Sequence, residues 1–274
     1  MKFIDFATPS DEAEALAILK ELGDDALPVA GGTALHFMAD HSTKTAVNIM
    51  LPGLAGIEKR NGMFRIGATT TLTDMMRFQE DGWVLSEPCR LVATHQIRNI
   101  STLGGNIARV FPWADMPVAL LALSGEVVLR GDAERLFTMD EFFASQPARL
   151  FRSGELLTCV KVPVLTERTG FGYVKKGLTT EAFSMMTAAA CLTIEDGLIK
   201  SARIAAGSAL PFPRRLNALE ERLVGRKPST EFFADAVNAA TKDIGWRGSE
   251  GMSDEYAANL ARVTLCDALT KSVC

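Results

Sequence analysis

The chain has 274 residues and a net charge of −4, with 47% hydrophobic and 23% charged residues, which suits one large domain or two modest ones with a sizeable core. The mild acidity and the lack of a Lys/Arg block argue against a nucleic-acid partner, and no apolar run reaches membrane-spanning length. The start, MKFIDFATPSDEAEAL, turns acidic at once and lacks the apolar core of a secretory signal, so a cytoplasmic location is expected.

In chain order, Ser10 to Leu22 reads as a helix, with Ser10 as cap, Asp11 and Glu12 at its positive end, Gly23 as its stop, and Leu16, Leu19 and Leu22 along one face. Leu27 to Ala30 reads as a short buried strand that runs into Gly31-Gly32-Thr33, and Ala34 to Ala39 as the start of a helix. Thr45 to Ile49 is a further strand. Ile57 to Arg60 and Met63 to Ile66 flank Asn61-Gly62, a hairpin signal. Thr71 to Phe78 and Glu87 to Ala93 look helical. Pro117 to Leu123 reads as a helix with Gly125 beyond it, and Glu126 to Leu129 as a strand. Thr138 with Glu141 makes a capping box, and Leu156 to Val162 is a strand ended by Pro163.

The charged segment from Leu165 to Gly170 marks a domain boundary, giving domains 1–166 and 167–274. Beyond it come a strand at Phe171 to Lys175 and a hairpin from Met185 to Ala205 around Asp196-Gly197. Three helices follow: Leu216 to Val224, Glu231 to Lys242 and Asp254 to Leu269. Ser229 or Thr230 can cap the second of these, and Ser253 the third. Strands mixed with helices, then a hairpin followed by helices, predict an α+β chain.

The five cysteines, Cys89, Cys159, Cys191, Cys266 and Cys274, form no C-x-x-C pair, which disfavours a disulfide framework or a metal site. His36, His41 and His95 are the only histidines. Chemistry-bearing patterns concentrate instead in Ile97 to Asp115, IRNISTLGGNIARVFPWAD, and in the earlier Gly31-Gly32-Thr33. Glycine lets backbone N–H groups approach a ligand, and successive N–H groups turned one way make a nest for an anion such as a pyrophosphate. Neither pair is a Rossmann fingerprint or a phosphate loop, and each could be a simple turn. Thr33 and Asn106 can close such nests. Asp115 can accept from a ribose or ribityl hydroxyl, or simply cap the helix near Met116. Arg98, Lys175 and Lys176 are the nearby cations, with surface ion pairs as the alternative. Phe111 and Trp113 flank Pro112 and can pack on a ring ligand, on a partner subunit or in the core.

VAGGTAL (Val29 to Leu35), IRNISTLGGNI (Ile97 to Ile107) and P-x-x-D (Pro112 to Asp115) together resemble the FAD-binding medium subunit of molybdenum hydroxylases, the xanthine dehydrogenase and CO dehydrogenase type. IGATTTLTDM (Ile66 to Met75), GELLTCVKVP (Gly154 to Pro163) and GFGYVKKG (Gly170 to Gly177) extend the resemblance over nearly the whole chain. It implies a two-part FAD-binding domain of the vanillyl-alcohol-oxidase (PCMH) type, followed by a small C-terminal domain of antiparallel sheet plus helices.

By the same resemblance Pro28, Val29, Ala30, Gly31, Gly32, Thr33, Ala34 and Leu35 wrap the FAD diphosphate, as do Thr102, Leu103, Gly104, Gly105 and Asn106. Asp115 falls on an FAD-binding position, Leu157 and Lys175 on flavin-contacting positions, and Val92 beside the cofactor. Ala34, Arg109, Val110 and Phe111 depart from residues common in the family. The implied role is electron transfer within a dimer of heterotrimers. A large subunit with a molybdopterin cofactor hydroxylates the substrate, and a small subunit with two two-iron iron–sulfur clusters relays electrons to FAD on this chain. The competing readings are a free-standing FAD-dependent oxidase of related fold and an assembly protein whose glycine pairs are only turns.

Overall fold

The first strand and helix show how locally the chain begins. β1 (Lys2–Ala7) leads into α1 (Glu12–Leu22), which Gly23 ends at φ +54°. Its cap is Asp11, whose side chain accepts from the Glu14 N–H at 2.9 Å. Ser10, the expected cap, instead donates to the Glu14 carboxylate through its N–H and hydroxyl at 2.6 and 2.7 Å. The structure, a computed structural model, describes residues 2–38, 43–109, 111–144, 146–248 and 251–273. Ala39, His41, Val110 and Cys274 lie outside the described residues.

β2 (Ala26–Val29) and β3 (Thr43–Asn48) join β1 in a three-stranded parallel sheet of order β1-β3-β2. A small core of Ala15, Leu19, Ala26, Val47, Leu51, Leu54 and Leu156 packs it against α1. Leu16 and Leu22 sit only at its margin, so the buried face of α1 centres on Ala15 and Leu19. β2 is not fully buried, with Pro28 exposed. The helix expected from Ala34 does not form. A single 3₁₀ turn, Leu35–Phe37, stands there, closed by bonds of the i to i−3 type.

The second part is a five-stranded antiparallel sheet of order β4-β5-β8-β6-β7. β4 (Ile57–Arg60) and β5 (Met63–Gly67) turn at Asn61 and Gly62, both with positive φ as a two-residue hairpin turn requires. Four short helices follow: α2 (Leu72–Arg77), α3 (Ser86–Arg90), α4 (His95–Ile100) and α5 (Leu103–Ala108). α6 (Met116–Ala122), β6 (Glu126–Arg130), β7 (Glu134–Thr138), α7 (Met139–Phe143) and β8 (Leu156–Pro163) complete it. The Thr138–Glu141 capping box is present with both reciprocal bonds. β7 has no clear signature in the sequence, because it is a charged edge strand with only one buried neighbour.

The third part is a four-stranded antiparallel sheet of order β12-β11-β10-β9, with β9 (Thr169–Lys176), β10 (Met186–Glu195), β11 (Leu198–Gly207) and β12 (Arg214–Arg215). α8 (Asn217–Leu223), α9 (Thr230–Thr241) and α10 (Asp254–Lys271) cover one face. The other face packs on α6, whose seven residues are all buried. β10 therefore feeds two cores in alternation: Ala188, Ala190 and Leu192 toward α8–α10, Ala189 and Cys191 toward α6. Each buried Val or Leu of α6 contributes about 2 kcal/mol to holding these layers together. Among the described residues, no helix is long and apolar enough to cross a membrane.

Candidate functional site

The two glycine segments touch. β2 brings Pro28 and Val29 to the turn from Ala30 to Leu35, and that turn lies against the end of α4. A Cβ on Gly31 would sit 1.6 Å from the Ile100 carbonyl oxygen and 2.6 Å from its carbon, so only glycine permits the approach. Thr33 and Ser101 share a hydroxyl hydrogen bond of 3.0 Å across the junction. Gly32 takes φ +68°, and the Leu35 N–H closes the turn onto the Gly32 carbonyl at 3.2 Å. The N–H groups of Gly31, Gly32, Thr33 and Ala34 donate to no acceptor among the described residues. Successive half-buried N–H groups of this kind make an anion nest.

The second segment is built differently. Gly104 and Gly105 lie inside α5, and neither has positive φ. The Thr102 hydroxyl accepts from the Gly105 N–H at 3.1 Å, while the Leu103 and Gly104 N–H groups donate to Thr70 at 3.0 Å and Ala68 at 2.7 Å. The expected second backbone nest is therefore replaced by a capped helix start whose N–H groups are engaged within the fold. Gly104 is there for packing, since its Cβ would meet the Ala68 carbonyl oxygen at 2.8 Å. Asn106 offers an unsatisfied group: its Oδ1 is buried with no hydrogen-bond partner among the described residues. Leu157, 5% exposed in β8, adjoins this layer, because the neighbouring Thr158 carbonyl accepts from Ala68 at 2.9 Å.

Asp115 anchors a second cluster. It stands at the first residue before α6 but makes no capping bond. Its Oδ1 accepts from the Ser184 hydroxyl at 2.7 Å, with the Thr187 hydroxyl 3.4 Å away, and its Oδ2 accepts from Lys175 Nζ at 3.2 Å. Burial pushes the Asp115 carboxyl above the usual carboxylate range, and the Lys175 charge and the two hydroxyls pull it back only in part. Lys175 also donates to the Leu91 carbonyl at 2.8 Å, which places it beside Val92. Lys176 turns outward to Asp267 at 2.9 Å. Arg98 makes no ion pair among the described residues: its Nη1 donates to the carbonyls of Val92 and Ala93, both at 2.7 Å. The phenol of Tyr173 is fully buried, reaches the Asp115 carbonyl oxygen at 3.4 Å, and is pushed well up by that burial.

Rings connect the two clusters. Phe37 follows the first glycine turn, Phe111 and Trp113 follow α5, and Phe183 precedes Ser184. Phe111 and Trp113 stack at 5.3 Å, and Phe183 lies 4.9 Å from Trp113 and 5.5 Å from Phe37. Phe111 and Trp113 are half-buried, so they form a loop cluster rather than core. Ser184, Thr187, Tyr173, Phe37 and Phe183 escaped the sequence reading. Their partners lie far away along the chain, and no local spacing marks them.

An open turn with four free donors, a neighbouring orphaned acceptor and a buried carboxylate fit a dinucleotide cofactor with a pyrophosphate and polyol. Comparison with known proteins bears on this geometry. Residues 2–165 match the FAD binding domain in molybdopterin dehydrogenase, and residues 174–272 match the CO dehydrogenase flavoprotein C-terminal domain. The chain is 27% identical to the caffeine dehydrogenase subunit beta of Pseudomonas sp. strain CBB1, over 98% of this chain and 94% of that one. It is 28% identical to the carbon monoxide dehydrogenase medium chain of Hydrogenophaga pseudoflava, over 86% of this chain and 85% of that one. The solved carbon monoxide dehydrogenase from Hydrogenophaga pseudoflava superposes with a TM-score of 0.91 at 27% identity, covering 99% of this chain and 97% of that one. The chain thus belongs to the family of FAD-binding medium subunits of molybdenum hydroxylase complexes, which are oxidoreductases.

Proposed function

We propose that this chain is the electron-transfer subunit of a heterotrimeric molybdopterin-dependent hydroxylase. In this reading it takes electrons from two two-iron clusters on a small subunit and passes them to an external acceptor. The substrate, an N-heteroaromatic, a purine or an aldehyde, is oxidised on a large molybdopterin subunit. The assembly is a cytoplasmic dimer of heterotrimers. FAD, when bound, supplies the exchange of one or two electrons.

The chain's own residues bind and orient. Pro28 to Leu35 present the free N–H groups to the pyrophosphate, and Thr102 to Asn106 form the opposing wall. Asp115 keeps part of its carboxylate for a polyol hydroxyl. Lys175, Val92 and Leu157 line the ring end. The observation that carries this reading is the contact of Gly31 with Ile100, which brings the two glycine segments to one place while four N–H groups find no acceptor among the described residues. The test is purification of the chain with its partner subunits and measurement of released flavin. One FAD per chain is expected, and a folded complex without flavin overturns the reading. Reduction of flavin by substrate in the isolated chain would favour a free-standing oxidase instead.

A further inference from the structure

Two donors from the C-terminal part hold the Asp115 carboxylate directly, the Ser184 hydroxyl on Oδ1 and the Lys175 ammonium on Oδ2. Lys175 comes from β9, Ser184 from just before β10 and Thr187 from within it. A position on Oδ2 is left beside Lys175. Ser184 and Thr187 are 8% and 0% exposed; because Ser184 gives its one proton to Asp115, the 2.7 Å contact between them is Thr187 donating to Ser184. Thr187 extends the chain of hydroxyls to Ser208 at 3.3 Å, a residue held at φ +67° where side chains seldom sit.

A buried carboxylate with a single donor could rotate. The Ser184 hydroxyl on one oxygen, itself held by Thr187, and an ammonium on the other fix its plane. Fixing it determines where the remaining lone pair points. We propose that Ser184 and Thr187 are positioning residues that orient Asp115 toward the cofactor, so that FAD retention depends on the C-terminal sheet being docked against the FAD-binding domain. This rests on the proposed contact between Asp115 and FAD. Neither hydroxyl touches the cofactor in this scheme. Ser184 acts through the carboxylate, and Thr187 through Ser184.

The test uses the complex with its partner subunits, stripped of flavin and titrated with FAD by quenching of flavin fluorescence. Ser184→Ala is expected to weaken FAD binding about 10- to 100-fold, as loss of a hydrogen bond to a charged acceptor does. Thr187→Val weakens it about 3-fold or more, and Thr187→Ser, which keeps the hydroxyl, binds FAD like the parent. A purely structural role for Thr187 would not separate Val, its isostere, from Ser in this direction. Asp115→Asn is the reference. If it loses FAD while Ser184→Ala and Thr187→Val bind like the parent, the positioning role is wrong. If Asp115→Asn itself binds FAD like the parent, the contact of Asp115 with FAD is wrong. Should Ser184→Ala fail to assemble, the Thr187 pair decides alone.

Discussion

Gly31→Ala is the sharpest perturbation of the proposed site. The added methyl would lie 1.6 Å from the Ile100 carbonyl oxygen, against an ordinary contact of about 3.4 Å or more, and the obstacle is backbone rather than a side chain that can swing away. Relief requires the turn and the end of α4 to part by roughly 2 Å. Overpacking of this kind costs about 1–3 kcal/mol of stability. The larger effect falls on ligand binding. The shift moves the N–H groups of Gly31 to Ala34 out of register, and losing two hydrogen bonds to a charged pyrophosphate, at about 1.5–3 kcal/mol each, weakens FAD by roughly 100-fold to 10,000-fold. Gly53→Ala is the control, because nothing lies within 4 Å of its Cβ and the residue is exposed outside the proposed site. FAD titration of the deflavinated complex reads both variants. Parental FAD affinity in Gly31→Ala, with the fold intact, would refute the placement of the pyrophosphate in the first turn.

Other outcomes follow from the buried pair and the thiols. Lys175 and Asp115 side chains are 5% and 6% exposed at 3.2 Å, so removing either alone leaves an uncompensated buried charge and costs about 3–5 kcal/mol. In a double-mutant cycle by urea unfolding, Lys175→Met with Asp115→Asn should cost less than the sum by about 1–3 kcal/mol; simple additivity would mean that the two do not interact. Because the folded Asp115 carboxyl holds its proton more tightly than the unfolded one, its contribution is full below the ordinary Asp range near about 3.9 and is lost as pH rises through the raised folded value. The stability of the parent relative to Asp115→Asn should therefore fall with rising pH in that window, and a rise would contradict it. Burial also pushes the Cys89 thiol far up, so iodoacetamide at pH 8 should label Cys89 only after unfolding, as peptide mapping by mass spectrometry would show.

Much of this molecule is local in origin. The hairpin turns at Asn61-Gly62 and Asp196-Gly197 follow from residues that tolerate positive φ. The Thr138–Glu141 box and the caps at Ser229 and Ser253 follow from side chains that reach their own helix. The glycine motifs could be picked out because unusual backbone demands leave an unusual composition. Their different uses could not. Gly32 needs positive φ, Gly31 and Gly104 need to lack a Cβ against a distant backbone, and the letters are identical in each case. The helix expected after Thr33 is a single 3₁₀ turn, because its N–H groups bond three residues back, Leu35 to Gly32 and Phe37 to Ala34, with Gly32 at positive φ.

Asp115 shows the limit most clearly. As a residue before a helix it reads as a cap or a ligand group, and sequence reasoning reaches no further. Only the packing of α6 under the C-terminal sheet brings Ser184, Thr187 and Lys175 to it from 60–72 residues away. Capping and turn formation are decided within a few residues. A buried carboxylate is satisfied by whatever the folded chain places within 3 Å or so, and that depends on contacts between layers that no local pattern encodes.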